Sequence, residues 1–191
     1  MICGLDEAGR GPLAGPVCAA AVVLPPDFPL TCLGDSKKLS PAQREKARVR
    51  ISTGAVGWGI GWASETEIDA LNILQASLLA MKRAFASMAA GWSGEFELTE
   101  AVVDGLYVPD LPIPCRAVVK ADSLIPEVMA ASILAKTARD KRMEQYALLY
   151  PEYGYEKHKG YPTKEHKERI VRYGPSPIQR KSFKVNPVRK P

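Results

Sequence analysis

The chain has 191 residues, of which 46% are hydrophobic and 25% charged, with a net charge of +5. That length and composition fit a folded domain with a full core and exclude a disordered chain, while the absence of any span-length apolar run or signal-like N-terminus points to a cytoplasmic protein without membrane contact. The charge is unevenly placed: residues 157–191 carry 11 Lys or Arg against 2 Glu, and the preceding 156 residues carry 15 basic and 19 acidic side chains, an arrangement suited to a polyanionic partner.

The first predicted element is a short buried strand over 1–5, ending in Asp6-Glu7 and a Gly9-Arg10-Gly11 turn. Neighbouring side chains on a straight strand face opposite ways. Asp6 and Glu7 are therefore expected to reach one ion only if the strand stops there, with Gly9 and Gly11 giving the chain its freedom to turn. The alternative is a solvated acidic pair at a strand end. Gly9 to Ala14 also fits a relaxed dinucleotide-binding pattern, but that pattern needs a helix to begin within the glycines, and here Pro12 and Gly15-Pro16 follow. Residues 17–24 instead read as a second strand.

A polar loop, Asp35-Ser36-Lys37-Lys38, precedes a helix opened by Ser40-Pro41-Ala42-Gln43, with Ser as cap, Pro at the first turn and Gln closing a capping box. That helix is predicted to run to about 52 and to stop at Gly54. Residues 55–63 alternate glycine with larger apolar residues and read as a strand with one crowded face. Ser64-Glu65-Thr66-Glu67 opens a short helix, and 72–89 carries the apolar stripe Ile73, Leu74, Leu78, Met81, Phe85 and Met88 of a long one. A loop over 91–97 leads to a buried strand over 98–103 ending at Asp104-Gly105. Another strand over 115–119 is followed by Lys120-Ala121-Asp122-Ser123. A helix begins at Pro126 and continues, or restarts, to about 149. Residues 151–162 read as a loop, Thr163 caps a helix to about 173, and 180–191 form a basic, proline-interrupted tail ordered in part. Cys3, Cys18, Cys32 and Cys115 are scattered without a Cys-x-x-Cys pair and read as reduced thiols. The expected architecture is α/β with a mixed sheet flanked by helices, forming one domain over 1–191 with a basic helical segment and tail from about 157.

Three strand-like segments end in carboxylates: Asp6-Glu7, Asp104 and Asp122. Sites in open α/β sheets form beyond the carboxyl ends of strands, so these groups can meet at one edge. Two such charges about 4 Å apart repel by roughly 4 kcal/mol at an effective dielectric near 20. Protons or divalent cations must relieve that repulsion. A ligand set of oxygens without His or Cys favours magnesium or manganese, and paired ions of this kind serve in-line phosphodiester hydrolysis.

A series of motifs in order along nearly the whole chain resembles bacterial ribonuclease HII: residues 4–17 around Asp6 and Gly9-Arg10-Gly11, Asp35-Ser36-Lys37-Lys38-Leu39, Asn72-Ile73-Leu74, Val103-Asp104-Gly105, Lys120-Ala121-Asp122-Ser123, Ala130 through Lys136, His158-Lys159-Gly160-Tyr161-Pro162-Thr163 and Arg180-Lys181-Ser182-Phe183. The resemblance implies an RNase H-like five-stranded sheet and endonucleolytic cutting of RNA in RNA–DNA hybrids. It also implies incision 5′ of ribonucleotides embedded in duplex DNA by two Mn2+ or Mg2+ ions, and a monomer. It makes Asp6, Glu7, Asp104 and Asp122 the metal-holding carboxylates, and Gly9, Arg10 and Gly11 the main-chain reader of the ribose 2′-hydroxyl. It places Tyr161 against the neighbouring sugar, and Ser36 and Lys37 on phosphates. The 2′-hydroxyl is the atom that separates RNA from DNA, and glycines allow the close approach needed to read it. Leu106, where the family usually has Asn, and Gln179, which opens the usual basic run, depart from the pattern. A non-catalytic nucleic-acid binder and a two-metal phosphatase for small substrates are the competing readings.

Overall fold

Five strands make a single sheet in the computed structural model, which describes residues 1–92 and 97–185. They are β1 (Ile2–Ala8), β2 (Val17–Val23), β3 (Gly57–Ala63), β4 (Glu100–Asp104) and β5 (Cys115–Val118), in the order β3-β2-β1-β4-β5. β1 pairs antiparallel with β2 and parallel with β4, β2 pairs antiparallel with β3, and β4 pairs parallel with β5. The sheet is therefore mixed, and β1 and β4 lie side by side with their carboxyl ends at the same edge.

The helices are α1 (Pro41–Gly54), α2 (Glu65–Leu71), α3 (Ile73–Ala90), α4 (Pro126–Leu149), α5 (Tyr155–His158) and α6 (Lys164–Tyr173). Both predicted capping boxes form, Ser40 with Gln43 and Ser64 with Glu67. They satisfy amide donors that a helix start leaves open. α3 covers one sheet face through Met81, Phe85 and Met88, packed against Cys3, Leu5 and Val103. Each such side chain contributes roughly 1.5–3 kcal/mol on burial. The glycines of β3 let α3 settle close to the strand: a Cβ on Gly61 would lie 2.0 Å from the Ala80 carbonyl oxygen. This is the crowded face that the alternation predicts. α4 covers the other face through Ala130, Ala131, Ile133, Leu134 and Ala135, packed with Cys18, Ala20 and Val22 of β2 and with Ile51 of α1.

Several expectations change. β1 does not stop at Asp6-Glu7 but stays paired through Ala8, with Asp6 opposite Ala20 and Glu7 opposite Ala19. The apolar run ends early because the sheet edge is a polar cleft; the backbone pairing does not end with it. Pro126–Leu149 is one continuous helix without a restart. The stretch read as a loop over 151–162 contains a 3₁₀ turn, Pro151–Tyr153, and the one-turn α5, pinned by Tyr153 and Tyr155 stacked at 5.6 Å. All four cysteines are free thiols. Residues 93–96 of the predicted 91–97 loop and 186–191 of the predicted tail lie outside the described residues. No helix among the described residues is long and apolar enough to cross a membrane.

Candidate active site

Side-chain parity along β1 decides which carboxylates meet. Cys3 and Leu5 face α3, so Gly4, Asp6 and Ala8 face α4. A Cβ at Gly4 would lie 2.2 Å from the Glu127 carbonyl carbon, so that face of β1 is pressed against the start of α4. On β4 the same logic applies: Val103 packs with α3 and Val102 with Val128 of α4, which puts Asp104 on the same side as Asp6. Asp122 comes from a 3₁₀ turn, Ala121–Ser123, entered through Lys120 in a left-handed conformation (φ 61°). One carboxylate oxygen from each of Asp6, Asp104 and Asp122 lies within 4.8 Å of the others. Glu7 is not in that group. Glu7 Oε1 instead meets Arg10 Nη1 at 3.4 Å. It nevertheless lines the same cavity, of about 650 Å³, as Asp6, Asp104, Gly9, Arg10, Gly11, Lys37 and Tyr161.

The carboxylates perturb one another. Burial first, then the Glu7 charge, push Asp6 well above the usual carboxylate range. Burial, then Asp122, raise Asp104. Burial raises Glu7 as well, opposed by Arg10. Lys37 extends over the cluster, its Nζ 3.3 Å from Asp122 Oδ2. Burial disfavours its charge, but the Asp122 carboxylate outweighs that and raises its pKa. Ser36 is buried, not solvated, and its hydroxyl lies 2.9 Å from that of Ser132 on α4. This contact ties the Lys37 loop to the helix behind Asp6.

The Gly9–Gly11 turn is held from beneath. Gly9 sits at φ +102°, a region that favours glycine, and a Cβ there would lie 2.0 Å from Arg139 Nε. Gly11 does not take positive φ, so only Gly9 supplies the predicted turning freedom. At Gly11 the missing side chain matters for access: a Cβ would be 3.7 Å from Tyr161 Cε1. Tyr161 is 39% exposed, with the Arg139 guanidinium and the Lys136 ammonium each 5.9 Å from its ring centre.

Comparison with known proteins decides the family. The family model for ribonuclease HII matches residues 3–186. The chain belongs to the ribonuclease HII family. A ribonuclease HII from Treponema denticola is 53% identical over 97% of this chain and 98% of its own length, and one from Dechloromonas aromatica is 49% identical over 96% and 90%. Among solved structures, the ribonuclease H2 of Pyrococcus horikoshii superposes with a TM-score of 0.73 at 28% identity, covering 96% of this chain and 94% of that one. The ribonuclease HII of Archaeoglobus fulgidus, solved in complex with PCNA, gives 0.71 at 26% identity, covering 95% and 92%. The five-stranded mixed sheet flanked by helices is thus the RNase H-like fold. Bst RNase HIII in complex with Mn2+ shares that fold at 19% identity (TM-score 0.73; 91% of this chain, 62% of that one).

Membership in the ribonuclease HII family makes the chain a nuclease, and the family implies endonucleolytic cleavage of RNA in RNA–DNA hybrids with divalent-metal dependence. The residues present fit such a metal. Asp104 Oδ1 is buried with no hydrogen-bond partner, and a buried carboxylate oxygen left unpaired is costly unless a cation takes it up. The donors are hard oxygens without nearby His or Cys, as magnesium and manganese prefer. Residue reading alone missed Arg44 and Lys136, which line the ribonuclease HII cleft, and Arg139 and Arg180 beneath it. Arg139 had a signal: it falls on the buried stripe Val128, Ser132, Ala135, Arg139 and Met143 at helical spacing, a charge in an otherwise small or apolar row.

Proposed function

We propose that the chain cuts the RNA strand of RNA–DNA hybrids and also incises on the 5′ side of single ribonucleotides embedded in duplex DNA, leaving 3′-hydroxyl and 5′-phosphate ends. The observation that carries this reading is the meeting of Asp6, Asp104 and Asp122 within 4.8 Å, beside a glycine turn that opens on the same cavity. In this reading Asp6, Asp104 and Asp122, with Glu7 of the same cavity, hold two divalent cations, Mn2+ or Mg2+. Such cations, when bound, lower the pKa of water and stabilise charge on the leaving oxygen.

The other side chains serve the nucleic acid. Gly9, Arg10 and Gly11 offer main-chain groups to the ribose, where side chains would block approach. Tyr161 offers an exposed ring edge to the adjoining sugar. Lys37 exchanges its contact with Asp122 for a phosphate once the carboxylates are neutralised, and Ser36 anchors the loop that carries it. Arg10, Arg44 and Lys136 ring the acidic centre with positive charge, which suits a polyanion threaded past a metal site. The domain acts alone, as a monomer.

The test is cleavage of two labelled duplexes, a full RNA–DNA hybrid and a DNA duplex with one ribonucleotide, with Mg2+, with Mn2+ and with chelator. Metal-dependent cutting of both, with the single-ribonucleotide product ending on its 5′ side, is the expected result. Binding without cutting under any metal would leave the non-catalytic binder as the better reading.

A further inference from the structure

Arg139 and Arg180 are the two largest fully buried side chains among the described residues, 1% and 0% exposed, yet all of their hydrogen bonds go to main-chain carbonyl oxygens. Arg180 donates from Nη2 to Gly9 O at 2.6 Å, from Nη1 to Arg10 O at 3.0 Å and from Nε to Gly15 O at 2.8 Å. Arg139 donates to Ala14 O, Pro16 O and Lys159 O. Burying a guanidinium without a carboxylate partner carries a large desolvation cost. Stability alone is a poor reason to place two such groups together. What they hold is specific: the carbonyls of the Gly9–Pro16 loop, drawn down into the protein.

A trans peptide places the carbonyl of one residue and the N–H of the next on opposite sides of the linking bond. The chain has no cis peptide bond among the described residues. Pulling Gly9 O and Arg10 O down onto Arg180 therefore turns the N–H groups of Arg10 and Gly11 up, away from the buried arginine. Neither N–H has a hydrogen-bond partner among the described residues. Gly9, Arg10 and Gly11 line the cavity that holds Asp6 and Asp104. Arg180 is itself fixed by its segment: its own N–H bonds Leu13 O at 2.9 Å, its guanidinium lies 5.0 Å from the Phe183 ring centre, and Gln179 bridges Ala14.

We propose that Arg180 is a positioning residue for ribose selection: its fork of donors sets the two peptide planes of Gly9-Arg10-Gly11 so that adjacent N–H groups face the substrate as a fixed donor pair, and Arg139 braces the far end of the same loop. The inference rests on the reading above that this turn meets the ribose. It gives the C-terminal segment a direct part in telling RNA from DNA, separate from any attraction of its basic charge for phosphate.

The test compares wild type, Arg180→Lys and Arg180→Met on a DNA duplex carrying one ribonucleotide and on the same duplex with a 2′-fluoro sugar at that position. Thermal melting of each protein accompanies the kinetics. Arg180→Met is expected to lower kcat/KM on the ribonucleotide duplex by about 10- to 100-fold, the scale of a small misplacement in a preorganised site. The fall should lie mainly in kcat, while KM, set by phosphate contacts, stays near wild type. The preference for ribose over 2′-fluoro should fall with it. Arg180→Lys, which keeps the charge but not the fork, should recover little of that preference. A merely structural role would lower the active fraction and reduce both substrates alike; a folded variant with an unchanged preference overturns the proposal. If neither variant folds, the wild-type amide resonances decide. Arg10 and Gly11 N–H should shift on adding the ribonucleotide duplex and not on adding the all-DNA duplex, and equal shifts would overturn it. Failure of wild type to cut the ribonucleotide duplex at all would instead remove the functional reading on which this rests.

Discussion

Replacing Asp104 with Asn should make the metal-free protein more stable while abolishing its response to metal. The three clustered carboxylates have oxygens within 4.8 Å of one another. At an effective dielectric near 20, each fully ionised pair at that distance repels by roughly 3.5 kcal/mol. Asp104 takes part in two of the three pairs, about 7 kcal/mol if all three carboxylates were ionised at that separation. Part of that is already offset: burial and neighbouring charge raise Asp6 and Asp104, which favours their neutral forms, and Lys37 lies 3.3 Å from Asp122. A net gain of about 1–3 kcal/mol should remain, since the amide keeps the shape and loses the charge. For a chain of this size that is a rise in Tm of about 2–12 °C. The sign with pH is definite. A carboxylate whose folded pKa is raised binds its proton more tightly when folded, so the metal-free wild type loses stability as pH rises through the folded value. The advantage of Asp104→Asn should therefore grow from acidic to neutral pH. Adding Mn2+ or Mg2+ should raise the Tm of wild type and leave that of the variant nearly unchanged, with cleavage lost. The assay is thermal unfolding across a pH series, with metal and with chelator. A variant less stable than wild type without metal, or equally stabilised by metal, would refute the claim that these side chains crowd one cation site.

Four further outcomes follow from particular contacts. His166 is fully buried and stacked at 4.4 Å on His158, and burial, then the His158 charge, pull it down to about 4; against an unfolded value near 6.5 this gives up to about 3 kcal/mol that is present above pH 6.5 and lost as pH falls toward 4. Urea unfolding at neutral and mildly acidic pH checks it, and His166→Asn should flatten the slope. Gly9→Ala, with φ +102° and its Cβ 2.0 Å from Arg139 Nε, should cost about 1–3 kcal/mol from backbone strain alone. Gly11→Leu should melt near wild type, because an added Cβ meets only Tyr161 Cε1 at 3.7 Å, yet should lose preference for the ribonucleotide in a paired-substrate assay. Lys37→Ala should weaken duplex binding regardless of sequence and reduce the salt slope by about 1, measured by titration over a range of salt concentrations.

What the sequence could and could not show follows from how far each signal reaches. Ser40 with Gln43 and Ser64 with Glu67 were legible because a capping box is complete within four residues. The strand-end position of Asp104 was legible because an apolar run and the carboxylate after it are adjacent in the chain. The end of β1 was misread for the same reason: hydrophobicity reports burial, and the pairing of Glu7 with Ala19 depends on β2. That difference has chemical weight, since Glu7 stays within the paired strand and meets Arg10, which leaves Asp6, Asp104 and Asp122 as the group that converges. Arg180 was the least legible. In sequence it is one cation in a basic tail; in the fold its partners Gly9, Arg10 and Gly15 are more than 160 residues away. A buried arginine bonded to carbonyls leaves no charge partner to find and no periodicity to count. The same composition that suggested a phosphate-binding tail therefore contains one residue turned inward, and the basic character of the segment overstates how much of it faces the nucleic acid.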